Sequence, residues 1–256
     1  MAAAGRSVTF GRIAERYEEA RGGVRRGREL ADAITPWLSP HSRVLDVGAG
    51  TGVVSAALAA AGHSVTPVEL APEMARKAER RFPAACVLAD ATRLPMARAS
   101  VDAVTFVWVL HHVDDPVAAL REAGRVVRPG GSVIHVSGLA AERSDDPIDI
   151  VHGRLNDVLR PGLVAASTDV AALGERAGLE VVGRSTATVT VESSPADAAK
   201  RLEDRMYAHL WDLDDATWTA VVQPAIDELR SLPDPQLVRR RTARQPVIVM
   251  RAIPVS

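Results

Sequence analysis

Val44-Leu45-Asp46-Val47-Gly48-Ala49-Gly50-Thr51-Gly52 is the stretch of sequence that decides the fold. Its first four residues are apolar apart from one acid and predict a buried strand. The glycines that follow at every second position predict a turn whose backbone can lie close to a ligand. A helix that opens at about Val53 would point its free N–H groups into the same space. Open α/β sheets bind ligands at such loops, so the stretch predicts a ligand-binding turn.

The spacing of these glycines discriminates between two kinds of nucleotide site. The dinucleotide fingerprint requires glycine at its first, third and sixth positions. Counting from Gly48, the third position is Gly50 but the sixth is Val53, so this pattern fits poorly and a nicotinamide dehydrogenase is disfavoured. The pattern Asp-x-Gly-x-Gly-x-Gly, beginning at Asp46, is complete.

Composition narrows the class of protein. A chain of 256 residues that is 47% hydrophobic can bury one large core, or a core with an inserted cap. A net charge of -1 gives no general attraction to nucleic acid or to an anionic membrane. The single cysteine, Cys86, suits a reducing compartment, and we find no signal-like or membrane-spanning apolar run. We therefore expect a cytoplasmic protein with neither nucleic acid nor membrane as partner.

Strands and helices alternate from Arg43 onward, which is typical of a doubly wound parallel sheet. The alternation predicts seven strands, at about 43–47, 64–69, 85–90, 101–108, 132–137, 179–191 and 246–253. Two of the early strands end on acids. Glu69 lies about twenty residues beyond the glycines, where a ribose diol would need a hydrogen-bond acceptor. A solvated strand end is the alternative for Glu69.

The glycine turn and two motifs downstream of it together resemble those of a known protein family. The glycine turn resembles motif I of the class I S-adenosylmethionine (SAM)-dependent methyltransferases. Downstream, Leu110-His-His-Val113 follows the fourth strand and Arg128-Pro-Gly-Gly131 precedes the fifth. This order is similar to that of the ubiquinone/menaquinone-type small-molecule methyltransferase family (methyltransferase domain 11-like). The resemblance covers Arg43–Gly138 closely and the flanks loosely.

The resemblance implies an α/β, Rossmann-like fold in which the last strand of a mostly parallel seven-stranded sheet is antiparallel. We predict an N-terminal helical segment (1–40) over the cofactor pocket, a SAM-binding core (41–192 and 245–256) and an inserted helical lid (193–244) on the acceptor side. The implied cofactor is SAM, with S-adenosylhomocysteine as product. The predicted cofactor-binding residues are Tyr17, Arg21, Asp46, Gly48, Ala49, Gly50, Gly52, Glu69, Leu70, Asp90, Ala91 and Val107. Ordinary helix packing is the alternative for Tyr17 and Arg21.

Histidines near the predicted methyl position are candidate bases, because imidazole titrates near neutral pH. His112 is the first candidate, followed by His111 and His152; alternatively, His111 and His112 only order their turn. His152 shares a predicted helix face with Asp149 and Asn156, which an exposed polar stripe would also explain. No spacing of His, Asp and Glu predicts a metal site, so we expect a metal-independent mechanism. The predicted substrate pocket consists of Trp108, His112, His152, Tyr207, His209 and Trp211.

The predicted function is transfer of a methyl group to an O, N or C atom of a small organic acceptor, with natural-product metabolism as a candidate setting. Two alternatives stay open. One is a methyltransferase acting on RNA or protein. The other is a SAM-binding protein that does not methylate, such as a scaffold or a rearrangement catalyst. The acceptor, the methylated atom and the choice between monomer and homodimer are beyond the sequence.

Overall fold

The fold is built on one seven-stranded sheet. The computed structural model describes Glu18 and residues 22–82, 86–138, 144–161 and 169–253. The strands are β1 (Arg43–Val47), β2 (Ser64–Glu69), β3 (Val87–Leu88), β4 (Val101–Val107), β5 (Val127–Val136), β6 (Leu179–Ser193) and β7 (Arg239–Ala252).

The strand order β3-β2-β1-β4-β5-β7-β6 places β1 at the centre of the parallel part. The chain leaves β1 toward β2 and β3 on one side, then returns to β4 on the other. All pairings among β1 to β5 are parallel, whereas β7 is antiparallel to both β5 and β6. The turn after β1 therefore lies at the topological switch point, where sheets of this kind bind ligands. The predicted Rossmann-like fold is confirmed.

Helices cover both faces of the sheet and form the insert. They are α1 (Gly23–Ile34), α2 (Val53–Ala60), α3 (Pro72–Arg81), α4 (Pro116–Val126), α5 (Pro147–Leu159), α6 (Val170–Arg176), α7 (Pro195–Glu203), α8 (Asp215–Thr217) and α9 (Gln223–Ser231). Short 3-10 turns lie at Thr35–Trp37, Leu110–His112 and Ala208–Leu210, and a π-turn lies at Trp218–Val222. Across the described ranges, no helix combines the length and apolarity needed to cross a membrane.

Proline and capping residues fix where several helices begin. Asp115 accepts the Ala118 N–H, and Ser194 forms a reciprocal capping box with Asp197. In both cases the next residue is proline, whose missing N–H needs no partner at the first helical position. Both starts can be read from the sequence, because a capping residue directly precedes a proline.

Two hydrophobic layers enclose the sheet. On one side Phe106 and Val104 pack with Leu120 of α4, and on the other Ala103 packs with Leu58 of α2 and Ile34 of α1. Because β4 is buried on both faces, its sequence is apolar rather than alternating. The central strands are thereby fixed, and the loops at their C-terminal ends are held in place.

Three strands, β3, β5 and β7, differ most from the predicted ranges. β3 lies at one edge of the sheet and pairs with β2 only at Val87 and Leu88. β5 includes residues 128–131, which form a bulge containing Gly130 at φ 79°. β7 begins at Arg239 rather than Pro246, because its first residues pair along β6 as far as Ser193.

The insert has a hydrophobic core of its own. Leu202 and Ala199 of α7 pack with Ile226 and Leu229 of α9 in this core. It also takes in α5 through Leu155, although the sequence grouped this helix with the sheet. Of the predicted N-terminal segment, residues 1–17 and 19–21 lie outside the described residues, whereas α1 packs on α2 and β6.

Candidate active site

A cavity of about 350 Å³ opens at the C-terminal edge of the parallel strands. The loops after β1, β2, β3 and β4 each contribute to its wall, as the switch-point topology requires. The predicted cofactor residues that line this cavity are Gly48, Gly50, Glu69, Leu70, Asp90, Ala91 and Val107. Trp108 and His112, predicted for the substrate pocket, line it as well.

The three glycines of the turn differ in what surrounds them, although all have positive φ. A Cβ on Gly48 would overlap the Val109 side chain, and one on Gly52 would lie 3.1 Å from Ala78 of α3. A Cβ on Gly50 would meet nothing within 4 Å. Gly48 and Gly52 thus permit close packing of the protein on itself, whereas Gly50 leaves open space beside the cavity.

Glu69 joins the end of β2 to the glycine turn. Its Oε2 accepts the Gly50 N–H at 2.8 Å, and its Oε1 accepts the N–H groups of Leu70 and Ala71 at 2.8 and 2.9 Å. Burial raises the pKa of Glu69, while these N–H bonds lower it and the nearby Asp46 raises it slightly. Of the about four lone-pair sites of a carboxylate, one on Oε2 is left after these bonds, so Glu69 can accept one further donor from a ligand.

Asp90 lies past the end of β3, the neighbour of β2, and lines the same cavity as Glu69. Its Oδ1 accepts the Thr92 N–H and the Thr92 hydroxyl, both at 2.8 Å. This local turn fixes the carboxylate beside Ala91. Thr92 is a residue that sequence reasoning missed; an Asp followed two residues later by Thr could have indicated it.

Asp46 occupies a different environment from the other predicted cofactor residues. It is 2% exposed, accepts a hydrogen bond from the Ser55 hydroxyl and accepts another at 2.7 Å from that of Thr105. Burial raises the pKa of Asp46, and the two hydroxyl bonds oppose that rise. The side chain therefore ties β1 to α2 and β4, and it lines a second, smaller cavity rather than the main one.

The smaller cavity, of about 40 Å³, lies between the glycine turn and α1. Ala49 and Thr51 line it together with Arg26, which is 5% exposed. The Arg26 guanidinium lies 4.4 Å from the centre of the Trp108 ring, whose Nε1 donates to Gln245 at 2.8 Å. Trp108 has φ 60°, which is uncommon for a bulky residue. The sequence did not predict a role for Arg26 or Gln245, because both lie far from Trp108 along the chain and contact it only in the fold.

His111 and His112 form part of the 3-10 turn after β4, with ring centroids 3.9 Å apart. His112 lines the main cavity, whereas His111 is exposed and lies beside Gly138. The structure thus brings one of the two imidazoles to the predicted cofactor site.

The aromatic residues of the insert form a separate group. Tyr207 lies between His152 and His209, with ring centroids 5.7 and 5.8 Å away. Trp211 donates its Nε1 to the Arg205 carbonyl at 2.8 Å. None of these four predicted residues lines either cavity. Tyr17 and Arg21 lie outside the described residues.

Asp149, on the same helix as His152, bonds Arg241 of β7. This contact ties α5 to the ribbon formed by β6 and β7, which accounts for Asp149 without a ligand. Over the part of the chain that the structure describes, no three His, Cys, Asp or Glu side chains are grouped so that they could hold a metal ion.

Part of the chain matches a known family and its curated members. Residues 45–135 match the family model described as "Methyltransferase domain". A demethylmenaquinone methyltransferase of Beutenbergia cavernae is 47% identical over 96 residues, which are 37% of this chain and 40% of that protein. One of Renibacterium salmoninarum is 39% identical over 135 residues, which are 50% of this chain and 56% of that protein. The match thus spans about half the length of these curated relatives.

Solved structures agree on the fold. The crystal structure of a proposed methyltransferase from Bacillus halodurans C-125 superimposes with a TM-score of 0.58 at 21% identity, covering 88% of this chain and 99% of that one. Residues 45–135 therefore form a methyltransferase domain of the class I type, with SAM as its cofactor, as the sequence motifs predict.

Proposed function

We propose that this protein transfers a methyl group from SAM to a small organic acceptor, with a quinol-type aromatic ring as the first candidate. The observation that carries the proposal is the main cavity, which has Glu69 on one wall and His112 at the end of β4 on another. The curated relatives, which are named demethylmenaquinone methyltransferases, support the choice of a ring acceptor.

The residues around the two cavities fit SAM. Glu69 would accept from a ribose hydroxyl through Oε2, and Asp90 with the Ala91 N–H would hold the adenine. The open space at Gly50 would admit the sulfur end, and Arg26 would attract the carboxylate of the amino-acid end. The acids on the cavity wall favour a cationic ligand.

The chain's own residues would orient the reactants and move a proton. When bound, SAM supplies an electrophilic methyl group on a sulfonium. Trp108 and Val107 would enclose this end and exclude water, and alignment of the two reactants would supply much of the acceleration. His112 would accept the acceptor's proton if that group must ionise.

The acceptor side would be completed by the insert. His152, Tyr207, His209 and Trp211 give it aromatic and polar groups, which suit a flat ring with hydroxyl substituents. We propose a cytoplasmic role in quinone or natural-product metabolism, without nucleic acid as partner. The net charge of -1 gives no general attraction to RNA, which disfavours an RNA acceptor.

Two measurements test the proposal. Calorimetry should detect S-adenosylhomocysteine binding to the wild type, and Gly50→Val should abolish it by filling the open space. Incubation with methyl-labelled SAM and a panel of reduced naphthoquinols, phenols and amines should label at least one acceptor. Absence of binding would refute the proposal; binding with no transfer to any acceptor would favour a non-methylating SAM-binding protein.

A further inference from the structure

Arg81, the last residue of α3, makes three hydrogen bonds outside its own helix. Its Nη1 donates to Glu18 Oε1 at 2.8 Å and to the Thr51 carbonyl at 3.0 Å, and its Nη2 donates to Glu18 Oε2 at 2.6 Å. Both side chains are shielded, with 26% of Arg81 and 21% of Glu18 exposed. The family resemblance predicts no role for either residue.

The two bonds to Glu18 are a fork-to-fork pair, in which planar guanidinium and carboxylate groups face one another. Such a pair fixes the orientation of the guanidinium as well as its position. With that orientation, Nη1 also reaches the Thr51 carbonyl. Glu18 thus holds Arg81 in the geometry that Arg81 needs to bond the turn.

The turn needs such support because glycine leaves its backbone free to adopt many conformations. Gly50 and Gly52, on either side of Thr51, both have positive φ. From the cavity side, Glu69 accepts the Gly50 N–H. From the opposite side, α3 supports the turn twice, through Ala78 packed on Gly52 and through Arg81 bonded to Thr51.

We infer that Arg81 is a positioning residue for the glycine turn and, through the turn, for the amino-acid end of the cofactor. The inference rests on the proposed function. The adenosine part would be held by Glu69 and Asp90, whereas Thr51 and Ala49 line the smaller cavity beside Arg26. If the turn is less well fixed, binding of the amino-acid end should therefore weaken, whereas binding of the adenosine part should change little.

Two ligands separate these parts. S-Adenosylhomocysteine carries the amino-acid end, whereas 5′-methylthioadenosine lacks it. Calorimetry on Arg81→Ala should show about a 10-fold loss of affinity for the first and less than about a 3-fold loss for the second. Arg80→Ala is the matched control, because Arg80 is the neighbouring exposed arginine of the same helix.

Conservative variants test the geometry. Arg81→Lys keeps the charge but loses the planar fork, so it should bind S-adenosylhomocysteine nearly as poorly as Arg81→Ala. Glu18→Gln keeps the shape and removes the charge, so it should lose a smaller part of the affinity, on the order of 3-fold. If Arg81→Ala does not fold, the same ligand comparison is made with these two.

The calorimetric results distinguish the positioning role from the proposed function. Selective loss of S-adenosylhomocysteine affinity in the Arg81 variants supports the positioning role. Equal loss for both ligands, or wild-type affinity for both, overturns it while leaving the proposed function intact. A wild type that binds neither ligand refutes the proposed function itself.

Discussion

Glu69 shows how one side chain can serve both the fold and a ligand. Its carboxylate already accepts three backbone N–H groups, one of them from the glycine turn. These bonds hold it at the cavity wall in a fixed orientation, so little freedom would be lost when a ribose diol binds.

Glu69→Gln should lower the affinity for S-adenosylhomocysteine about 10- to 100-fold, because the variant loses the charge-assisted bond to the ribose and its amide NH₂ cannot accept the backbone N–H groups that hold the side chain in place. Calorimetry with normal and 2′-deoxy ligand measures this, with exposed Glu79→Gln as control. If the variant weakens both ligands equally, Glu69 does not hold the ribose.

Asp46→Ala should reduce the free energy of unfolding by on the order of 3 kcal/mol, because the buried Ser55 and Thr105 hydroxyls lose their acceptor. Urea unfolding measures the change. Exposed Asp32→Ala provides the control and should change stability little. An Asp46→Ala protein as stable as Asp32→Ala would contradict the structural role.

His112→Asn should lower turnover roughly 10²- to 10⁴-fold if His112 is the base, with S-adenosylhomocysteine affinity nearly unchanged. The acid limb of the wild-type pH–rate profile should also vanish in the variant. His111→Asn is the matched control, because His111 is exposed beside it. Full activity in His112→Asn would mean that this histidine only orders its turn.

At the scale of elements, close packing of α1 on the start of α2 depends on a single glycine. A Cβ on Gly27 would lie 2.5 Å from the Val53 carbonyl oxygen, which belongs to backbone and cannot rotate away. Gly153 in α5 is also helical, but a Cβ there would meet nothing within 4 Å.

Gly27→Ala should therefore destabilise the protein by about 1–3 kcal/mol, because α1 must shift. Gly153→Ala should stabilise it by up to about 1 kcal/mol, because alanine has the higher helix propensity. Urea unfolding of both variants tests the contrast in sign. Equal effects would mean that α1 is not tightly docked.

The sequence predicted the elements whose signals are local. Strand β1, its glycine turn and the proline-led helices follow from residues next to one another. The ends of β3 and β7 depend on which strand lies alongside, so Pro246 was a poor guide to where β7 begins. For the same reason the sequence could not assign Asp46 to a buried hydroxyl pair, or join Arg81 to Glu18.

At the scale of the whole molecule, one buried histidine links stability to pH. His135 lies in β5 between β4 and β7 and is 3% exposed. Burial lowers its pKa to about 4, although a hydrogen bond to the Phe106 backbone opposes the shift. At a pH between about 4 and about 6.5, this imidazole is therefore neutral in the folded protein and protonated in the unfolded chain.

The direction of the pH dependence follows from the pKa of His135 in the folded protein and in the unfolded chain. Between pH about 6.5 and about 4 the unfolded chain binds one more proton at this site, so the free energy of unfolding falls as the pH falls. The loss is about 1.4 kcal/mol per pH unit, or about 2 kcal/mol at pH 5. Above pH 6.5 and below pH 4 this residue contributes no further slope.

His135→Gln should remove that slope, because glutamine can still donate to the Phe106 carbonyl but does not titrate. Urea unfolding of wild type and variant at several pH values between 4 and 7.5 measures it. At each pH, the free energy of unfolding of the variant is subtracted from that of the wild type. The carboxylates titrate in both proteins, so their contributions cancel in this difference. The free energy of unfolding of the wild type should fall relative to that of the variant as the pH is lowered from about 6.5 to about 4. Parallel curves for the two proteins would show that His135 is not the residue that links folding to acid.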